Sequence, residues 1–537
     1  MSEVLTQTPP QKSTKLMVLA LAILVLVLAT FIYLASHWPF RRAAVVKELE
    51  SESLSKVSVG AFHETYFPRP GCVLEHVVFR HNPKAGTPPL ITIEKIGIEG
   101  SFAGLFTRHV RRILAEGMHI LVPPRGTDER FEAPPTSAIV IDDIVANGAI
   151  LEVAFHQAGK QPLTFTFHEF TLSHVGSHGP ASFKARISNP EPPGEIITTG
   201  NFGPWNADHV GKTSVSGEFS FQHADLGMFH GISGLLSSSG KFGGSLGRIE
   251  VEGASDVPLF AVTRSSHHVH LQTQFHAVVN GDNGDILLQR VAATFRKMTL
   301  WTEGSIAGTA GQAGKTASLE LAAREGRIQD ILLLFAKSPS APMSGIVSFK
   351  AKVSIQPGPR PFLEKVELQG DFGIDAGSFT KSDTQEGVNS LSYGARGGKD
   401  YDKSDKDESD PETVLSNLKG HVELEDGIAR FSDLTFSVPG ALAHMWGTYN
   451  LITEKIDLRG DLTTVAEVSK TTHGIKALML KVLDPFFKKG RGGYIAPVKI
   501  TGTYDHPSFG LDLRRPDNDN KQNAKAHTSR SSNQAEH

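Results

Sequence analysis

The sequence predicts a mainly β protein, built as a long twisted antiparallel sheet with a few short helices and one N-terminal transmembrane helix. Three observations support this fold class: an uncharged apolar run near the N-terminus, short segments of alternating apolar and polar residues, and Gly, Pro, Asn and Asp between those segments. The chain has 537 residues, 39% of them hydrophobic. Its length is enough for roughly three or four units of ordinary size.

The apolar run covers residues 16–35 and contains no charged side chain. At about 1.5 Å per residue it spans roughly 30 Å, the thickness of the hydrocarbon core of a bilayer. A cleaved signal peptide is the alternative, but the run is longer than a usual signal-peptide core and no A-x-A site follows it. We therefore predict a membrane helix preceded by a short tail at 1–15, and the nearly equal positive charges on its two sides leave the orientation open. The anchor residues are Leu16, Leu24, Leu28, Phe31, Tyr33 and Trp38.

Downstream of the anchor, alternation with period two is clearest at 163–167, 217–221, 248–252, 365–368 and 455–459. This period places the apolar side chains on one face of a strand and the polar side chains on the other. Turns rich in Gly, Asn and Asp inside 278–287 and 421–431 predict hairpins. The expected topology is a meander of sequential antiparallel strands.

The remaining organisation follows from composition. Short helices are predicted at 327–335 and at about 465–482, and a flexible polar insertion at 386–412 separates β regions at 36–385 and 413–513. A disordered tail is predicted at 514–537, where little apolar remains except Ala.

Charge and motifs argue against several classes of function. The 54 Lys and Arg against 57 Asp and Glu leave no basic field for nucleic acid, and the single Cys72 excludes an internal disulfide and Cys-rich metal sites. The G-x-S-x-G sequence at 243–247 precedes an alternating strand, where a nucleophile elbow would require a helix. His268 and His270 share a strand face without an assignable carboxylate or thiolate partner. We therefore predict no catalytic residue, no metal and no cofactor.

The 31 Phe residues fall largely on strands. A one-sided sheet must either pack its apolar face against another layer or leave that face open, and the pattern alone does not separate a filled core from an open groove. An open concave face would accept acyl chains. The candidate lining residues are Phe165, Phe167, Phe219, Phe221, Ile249, Val251, Leu434, Phe436, Ile456 and Leu458.

The order of several short motifs resembles the AsmA-like family of envelope proteins. These motifs lie at 66–75, 88–96, 200–205, 436–441 and 484–487, after the transmembrane segment. The resemblance implies a bacterial inner-membrane anchor with a cytoplasmic N-terminus. It also implies a periplasmic sheet curled into an open apolar groove of the bridge-like lipid-transfer type.

The function implied by the resemblance is non-catalytic transport of phospholipid toward the outer membrane, in support of envelope integrity. The expected partners are phospholipids, the inner membrane and other envelope proteins, and no nucleic acid. The alternative is a scaffold or assembly factor for outer-membrane proteins, acting through exposed strand edges. An anchored hydrolase would need a nucleophile and base that the sequence does not show.

Overall fold

The computed structural model describes residues 25, 38–80, 89–122, 139–154, 162–176, 179–204, 206, 209–262, 265, 267–281, 283–309, 314–335, 337–382, 416–438, 441–464, 488–490, 493–503 and 506–512. Of these residues, 71% lie in strands, which confirms the mainly β class. The chain divides into two compact units. Unit 1 comprises residues 1–190 and 196–217, and unit 2 comprises 191–195 and 218–537.

The strands of the N-terminal part, in chain order, are β1 Lys56–Thr65, β2 Gly71–Arg80, β3 Ile91–Gly100, β4 His109–Val122, β5 Val140–Asn147, β6 Ala149–Val153, β7 Leu163–Val175, β8 Ala181–Pro190, β9 Pro193–Phe202 and β10 Ser214–Asp225. Residues of β9 and β10 are divided between the two units.

The strands that follow are β11 Ile232–Ser233, β12 Leu235–Ser245, β13 Arg248–Val262, β14 Val269–Val279, β15 Ile286–Phe295, β16 Met298–Gly308, β17 Lys315–Arg327, β18 Met343–Ile355, β19 Val366–Phe379, β20 Ser416–Glu425, β21 Ile428–Val438, β22 Ala441–Asn450, β23 Lys455–Thr464, β24 Lys488–Gly490, β25 Gly493–Thr503 and β26 Pro507–Leu511.

The described helices are short. They are α1 Arg42–Ser53, α2 Gly104–Thr107, α3 Ile328–Leu333 and α4 Phe362–Lys365, with 3₁₀ turns at Val210–Lys212 and Leu226–Phe229. Helix α3 confirms the amphipathic helix predicted at 327–335.

The sheet of unit 1 corrects the prediction of a purely antiparallel arrangement. Strands β1 to β4 pair antiparallel in sequence, but β4 pairs in parallel with both β5 and β6. Strand β5 starts beside the start of β4, with Val140 opposite His109. The sheet is therefore mixed.

A row of residues across β1–β4 is left out of the ladder. Gly60, His76, Glu94 and Gly117 face one another in turn without pairing. His76 and Gly117 have φ of 54° and 62°, and a Cβ on Gly117 would lie 2.5 Å from Glu94 Cγ. Such interruptions add local twist and bend the strands that carry them.

The core of unit 1 lies on one face of these strands. Buried Cys72, Leu74, Val77 and Ile96 pack with residues of the segment that precedes β1. From that segment Val45 of α1 joins the buried cluster, together with Trp38 and Phe40. Helix α1 thus covers the apolar side of the first strands.

Unit 2 is a meander. Each strand from β12 to β23 pairs antiparallel with the next, and β23 continues through β25 to β26. The hairpins predicted at 278–287 and 421–431 are confirmed, the second turning at Asp426 and Gly427 between Glu425 and Ile428. The 243–247 motif is also a hairpin, because Ser245 pairs with Arg248.

Several predicted elements lie outside the described residues. They are the transmembrane helix at 16–35 apart from residue 25, the tail at 1–15, the insertion at 386–412, the helix at 465–482 and the tail at 514–537. Across the described part of the chain, no helix combines the length and the apolar character needed to cross a bilayer.

Candidate functional site

The strongest candidate for a ligand surface is an apolar strip in unit 2, formed by Phe219, Phe221, Phe242, Ile249 and Val251 on β10, β12 and β13. All five side chains are half-buried, whereas Lys241, Glu250 and Glu252, on the other face of β12 and β13, are exposed. No residue of β12 is buried, and none of β13 is buried from Arg248 to Asp256. The strip therefore stays open to a ligand, where a filled core would bury the same side chains completely.

Glycines form the floor of the strip. Gly240 faces Gly253 across β12 and β13, and a Cβ on Gly240 would lie 2.1 Å from the carbonyl oxygen of Glu252. The ring of Phe275 lies over Gly253, so that a Cβ there would meet Phe275 Cζ at 3.0 Å. The two strands approach closely because neither position carries a side chain, and the neighbouring aromatic ring covers the exposed backbone.

The strip ends at a polar pair. The hydroxyl groups of Ser255 and Thr273 lie 2.6 Å apart on the same face and satisfy each other. Beyond them Val257 is only 2% exposed. The apolar face of β13 therefore changes along its length from accessible to buried.

The opposite face of these strands is wet and charged. His270 Nε2 lies 2.5 Å from Asp256 Oδ1, and Gln272 Nε2 donates to the same oxygen at 3.1 Å. These two hydrogen bonds, His270 first, lower the pKa of Asp256 below its ordinary value. His270 therefore lies on a solvated ionic surface, as expected for a histidine on a polar strand face, but Asp256 is a carboxylate partner that the sequence did not assign to it.

Other predicted lining residues belong to a filled region of unit 2. Leu434 is 9% exposed and lies in a buried cluster with Met445, its partner across β21 and β22. Phe436 and Leu458 pack against this cluster, and Ile456 is half-buried. Helix α3 lies against the same cluster through Ile328, Ile331 and Leu332.

The two candidates in unit 1, Phe165 and Phe167, are half-buried on β7. Phe167 packs on the core of unit 1 and meets Phe170 edge to face, with 5.8 Å between ring centroids. Within unit 2, the structure separates an accessible group of predicted residues on β10 and β13 from Leu434, Phe436 and Leu458, which belong to or pack on a core.

A pocket of about 360 Å³ lies in unit 1 at the row of unpaired residues. Its lining includes His76, Glu94, Gly117, His119 and Ile150. His119 Nε2 is already paired with Glu152 Oε2 at 2.7 Å. Nowhere in the described ranges do three or more His, Cys, Asp or Glu side chains come together in a way that could hold a metal ion.

Trp38 of the predicted anchor is 9% exposed and is part of the core of unit 1. Its ring stacks on Tyr66, with centroids 4.9 Å apart. Tyr66 donates a hydrogen bond to Glu64, which raises the pKa of the phenol.

Tyr66, its neighbour Phe67 and the more distant Phe102 are exposed, and no role was predicted for them from the sequence. Aromatic residues beside Pro68 in a turn were the signal that could have found the first two.

Comparison of the chain with protein-family models, curated proteins and solved structures gives no match.

Proposed function

We propose that this protein is an inner-membrane-anchored periplasmic β-groove protein that binds phospholipid acyl chains. In this proposal it supports lipid transport to the outer membrane and envelope integrity, without covalent chemistry. The anchor is the apolar run at 16–35, and the resemblance to AsmA-like proteins supports the location. The observation that carries the proposal is the accessible apolar strip on β10, β12 and β13.

The dimensions of the strip suit a lipid tail. The three strands of the strip and the adjacent β14, whose Phe275 lies over Gly253, together cover roughly 14 Å at a spacing of about 4.8 Å. One leaflet of a bilayer has a hydrocarbon depth of about 15 Å, half of the roughly 30 Å core. An acyl chain lying across the strip would therefore be in contact with apolar side chains over most of its length.

The energetics suit transport better than permanent storage. Each methylene that leaves water contributes about 0.8 kcal/mol, so even a partly covered chain is held well. Because the strip is open and its side chains from Phe242 to Val251 are apolar on this face, a chain can slide along it while its covered side stays in apolar contact. The charged opposite face keeps the sheet soluble while the strip stays apolar.

The test places charge in the strip. The double substitution Ile249→Asp and Val251→Asp should remove most of the phospholipid that co-purifies with the full chain, because two carboxylates would be desolvated by a bound tail. The matched control, Ser237→Asp and Ser239→Asp, adds the same charge to the exposed face of adjacent β12. Lipid extraction followed by mass spectrometry measures the occupancy of each variant.

Hydrogen exchange of β12–β14 peptides shows whether each variant keeps its sheet. Equal lipid content in the two folded variants would refute the groove. A bound protein client without lipid, detected by native mass spectrometry, would instead favour the assembly role.

A further inference from the structure

One edge of unit 1 carries three exposed aromatic side chains, Tyr66, Phe67 and Phe102, which we call the aromatic edge. Their exposed fractions are 58%, 83% and 53%. Tyr66 and Phe67 lie in the turn between β1 and β2, and Phe102 follows the end of β3. These positions are neighbours, because the start of β2 pairs with the end of β3.

The contacts beneath the aromatic edge hold it in place. Gly71 pairs with Glu99, and the carboxylate of Glu99 accepts from Arg69 at 3.0 Å. The backbone N–H of Gly100 donates to the carbonyl of Pro70 at 2.8 Å. The two aromatic loops are thus tied together at their bases while their tips point into solvent.

Large exposed aromatic groups gathered at one edge of a soluble unit mark a contact surface. Aromatic rings are also the side chains that favour the boundary between lipid headgroups and hydrocarbon. The charges around the aromatic edge cancel in part, since Arg69 is paired with Glu99, and the opposite charges of Glu64 and Arg41 both act on Tyr66. A surface of this kind suits an interface whose attraction is apolar.

The chain itself brings the aromatic edge close to a bilayer. Trp38 contacts Tyr66, and it lies only three positions after Ala35, the end of the apolar run. Three steps along the chain span at most about 11 Å even when fully extended. If the run crosses a membrane, Tyr66 lies within a short distance of the surface from which the chain emerges.

We infer that the aromatic edge inserts into the outer surface of the same bilayer that holds the anchor, and so fixes the orientation of unit 1 on the membrane. This inference rests on the anchor of the proposed function, but not on lipid binding by the strip. Since the attraction is apolar, insertion is expected in neutral as well as in anionic membranes. The aromatic edge lies at the end of β1, so the start of β1, at Lys56, points away from the lipid.

The experiment uses the full chain reconstituted in vesicles, with a fluorophore on a single introduced cysteine. Ala103→Cys places the label beside Phe102 and leaves all three aromatics intact, and Lys56→Cys is the control at the other end of β1, about 30 Å away. Leu24→Cys reports insertion of the anchor. The native Cys72 is 1% exposed, and burial raises its pKa to about 12, so it does not compete for the label.

Spin-labelled phosphatidylcholine should quench the label at position 103 by at least about twofold more than the label at position 56. The difference should be the same in phosphatidylcholine and in mixtures with phosphatidylglycerol. Adding Phe67→Asp and Phe102→Asp to the Ala103→Cys chain should abolish it.

Equal quenching at positions 103 and 56, with strong quenching at Leu24→Cys, would overturn the aromatic edge and leave the anchor standing. A difference seen only with phosphatidylglycerol, or one unaffected by the two Asp substitutions, would overturn the apolar mechanism. Weak quenching at position 24 would overturn the anchor and the edge together. The lipid content of the strip is measured separately, so its failure is distinguishable from these outcomes.

Discussion

Two side-chain truncations of equal size should lower the free energy of unfolding by unequal amounts if the strip of unit 2 is open and the buried cluster around Met445 is filled. Met445→Ala and Ile249→Ala each remove three heavy atoms. Met445 is 1% exposed and belongs to the buried cluster, whereas Ile249 is half-buried on the strip. Only the first truncation leaves an enclosed cavity.

The magnitudes follow from transfer and cavity terms. Three groups at about 0.8 kcal/mol each give about 2.4 kcal/mol, and the cavity raises the cost of Met445→Ala to about 3–4 kcal/mol. At Ile249 only about half of the transfer term is lost and solvent or lipid fills the space, which predicts about 1 kcal/mol. The expected difference between the two variants is about 2 kcal/mol.

Urea unfolding of the full chain, followed by hydrogen exchange in peptides of β12–β13 and of β21–β22, measures both costs. Delipidated samples give the intrinsic values. The addition of phospholipid should stabilise the wild type more than Ile249→Ala, and should stabilise Met445→Ala as much as the wild type. Equal costs near 3 kcal/mol for both truncations, with no effect of lipid, would show that Ile249 lies in a filled core and would refute the open strip.

Three further outcomes are expected. Cys72, with its pKa raised by burial to about 12, should react with a thiol reagent at pH 8 about a thousandfold more slowly than an ordinary cysteine. Burial of the neutral thiol contributes fully to the free energy of unfolding below about pH 9, and this contribution is lost as pH rises toward 12. In that window the urea midpoints of the wild type should therefore fall faster than those of Cys72→Ala. Gly240→Val should lower the free energy of unfolding, measured with urea, by more than about 2 kcal/mol, because its Cβ would lie 2.1 Å from a backbone oxygen. Gly243→Ala, with open space at its Cβ, should leave the free energy of unfolding nearly unchanged. Asp330 is buried on α3 and accepts the N–H of Lys297 at 3.3 Å, so Asp330→Leu should cost about 1–3 kcal/mol and Asp330→Asn much less.

Local sequence was sufficient for the parts of the fold that depend on local geometry. Alternation at 248–252 assigns Ile249 and Val251 to one face because side chains of a strand alternate regardless of tertiary context. The Asp426-Gly427 turn joins two strands whose registers it fixes. The strand after 243–247 likewise identified that glycine cluster as a hairpin.

The properties that decide function depend on distant parts of the chain. Alternation gives Ile249 and Leu434 the same apolar character, yet only the latter is buried, because the cluster around Met445 lies over its part of the sheet. The parallel pairing of β4 with β5 is a contact between two separate strands, and alternation within each strand does not indicate the direction in which they pair. Trp38 reads as an interfacial residue beside an apolar run, but its stacking on Tyr66 depends on a turn 28 positions further along the chain.

The sequential pairing of β12 to β23 has a consequence for how such a chain is made and how it changes in length. Each new strand pairs with the strand synthesised just before it, so a growing polypeptide can form its hairpins in order, at a small cost in loop-closure entropy. Insertion or deletion of one hairpin would change the extent of the sheet, measured across its strands, by roughly 9–10 Å and leave the register of the remaining strands unchanged. An architecture of this kind can be tailored to the distance between two surfaces by duplication alone.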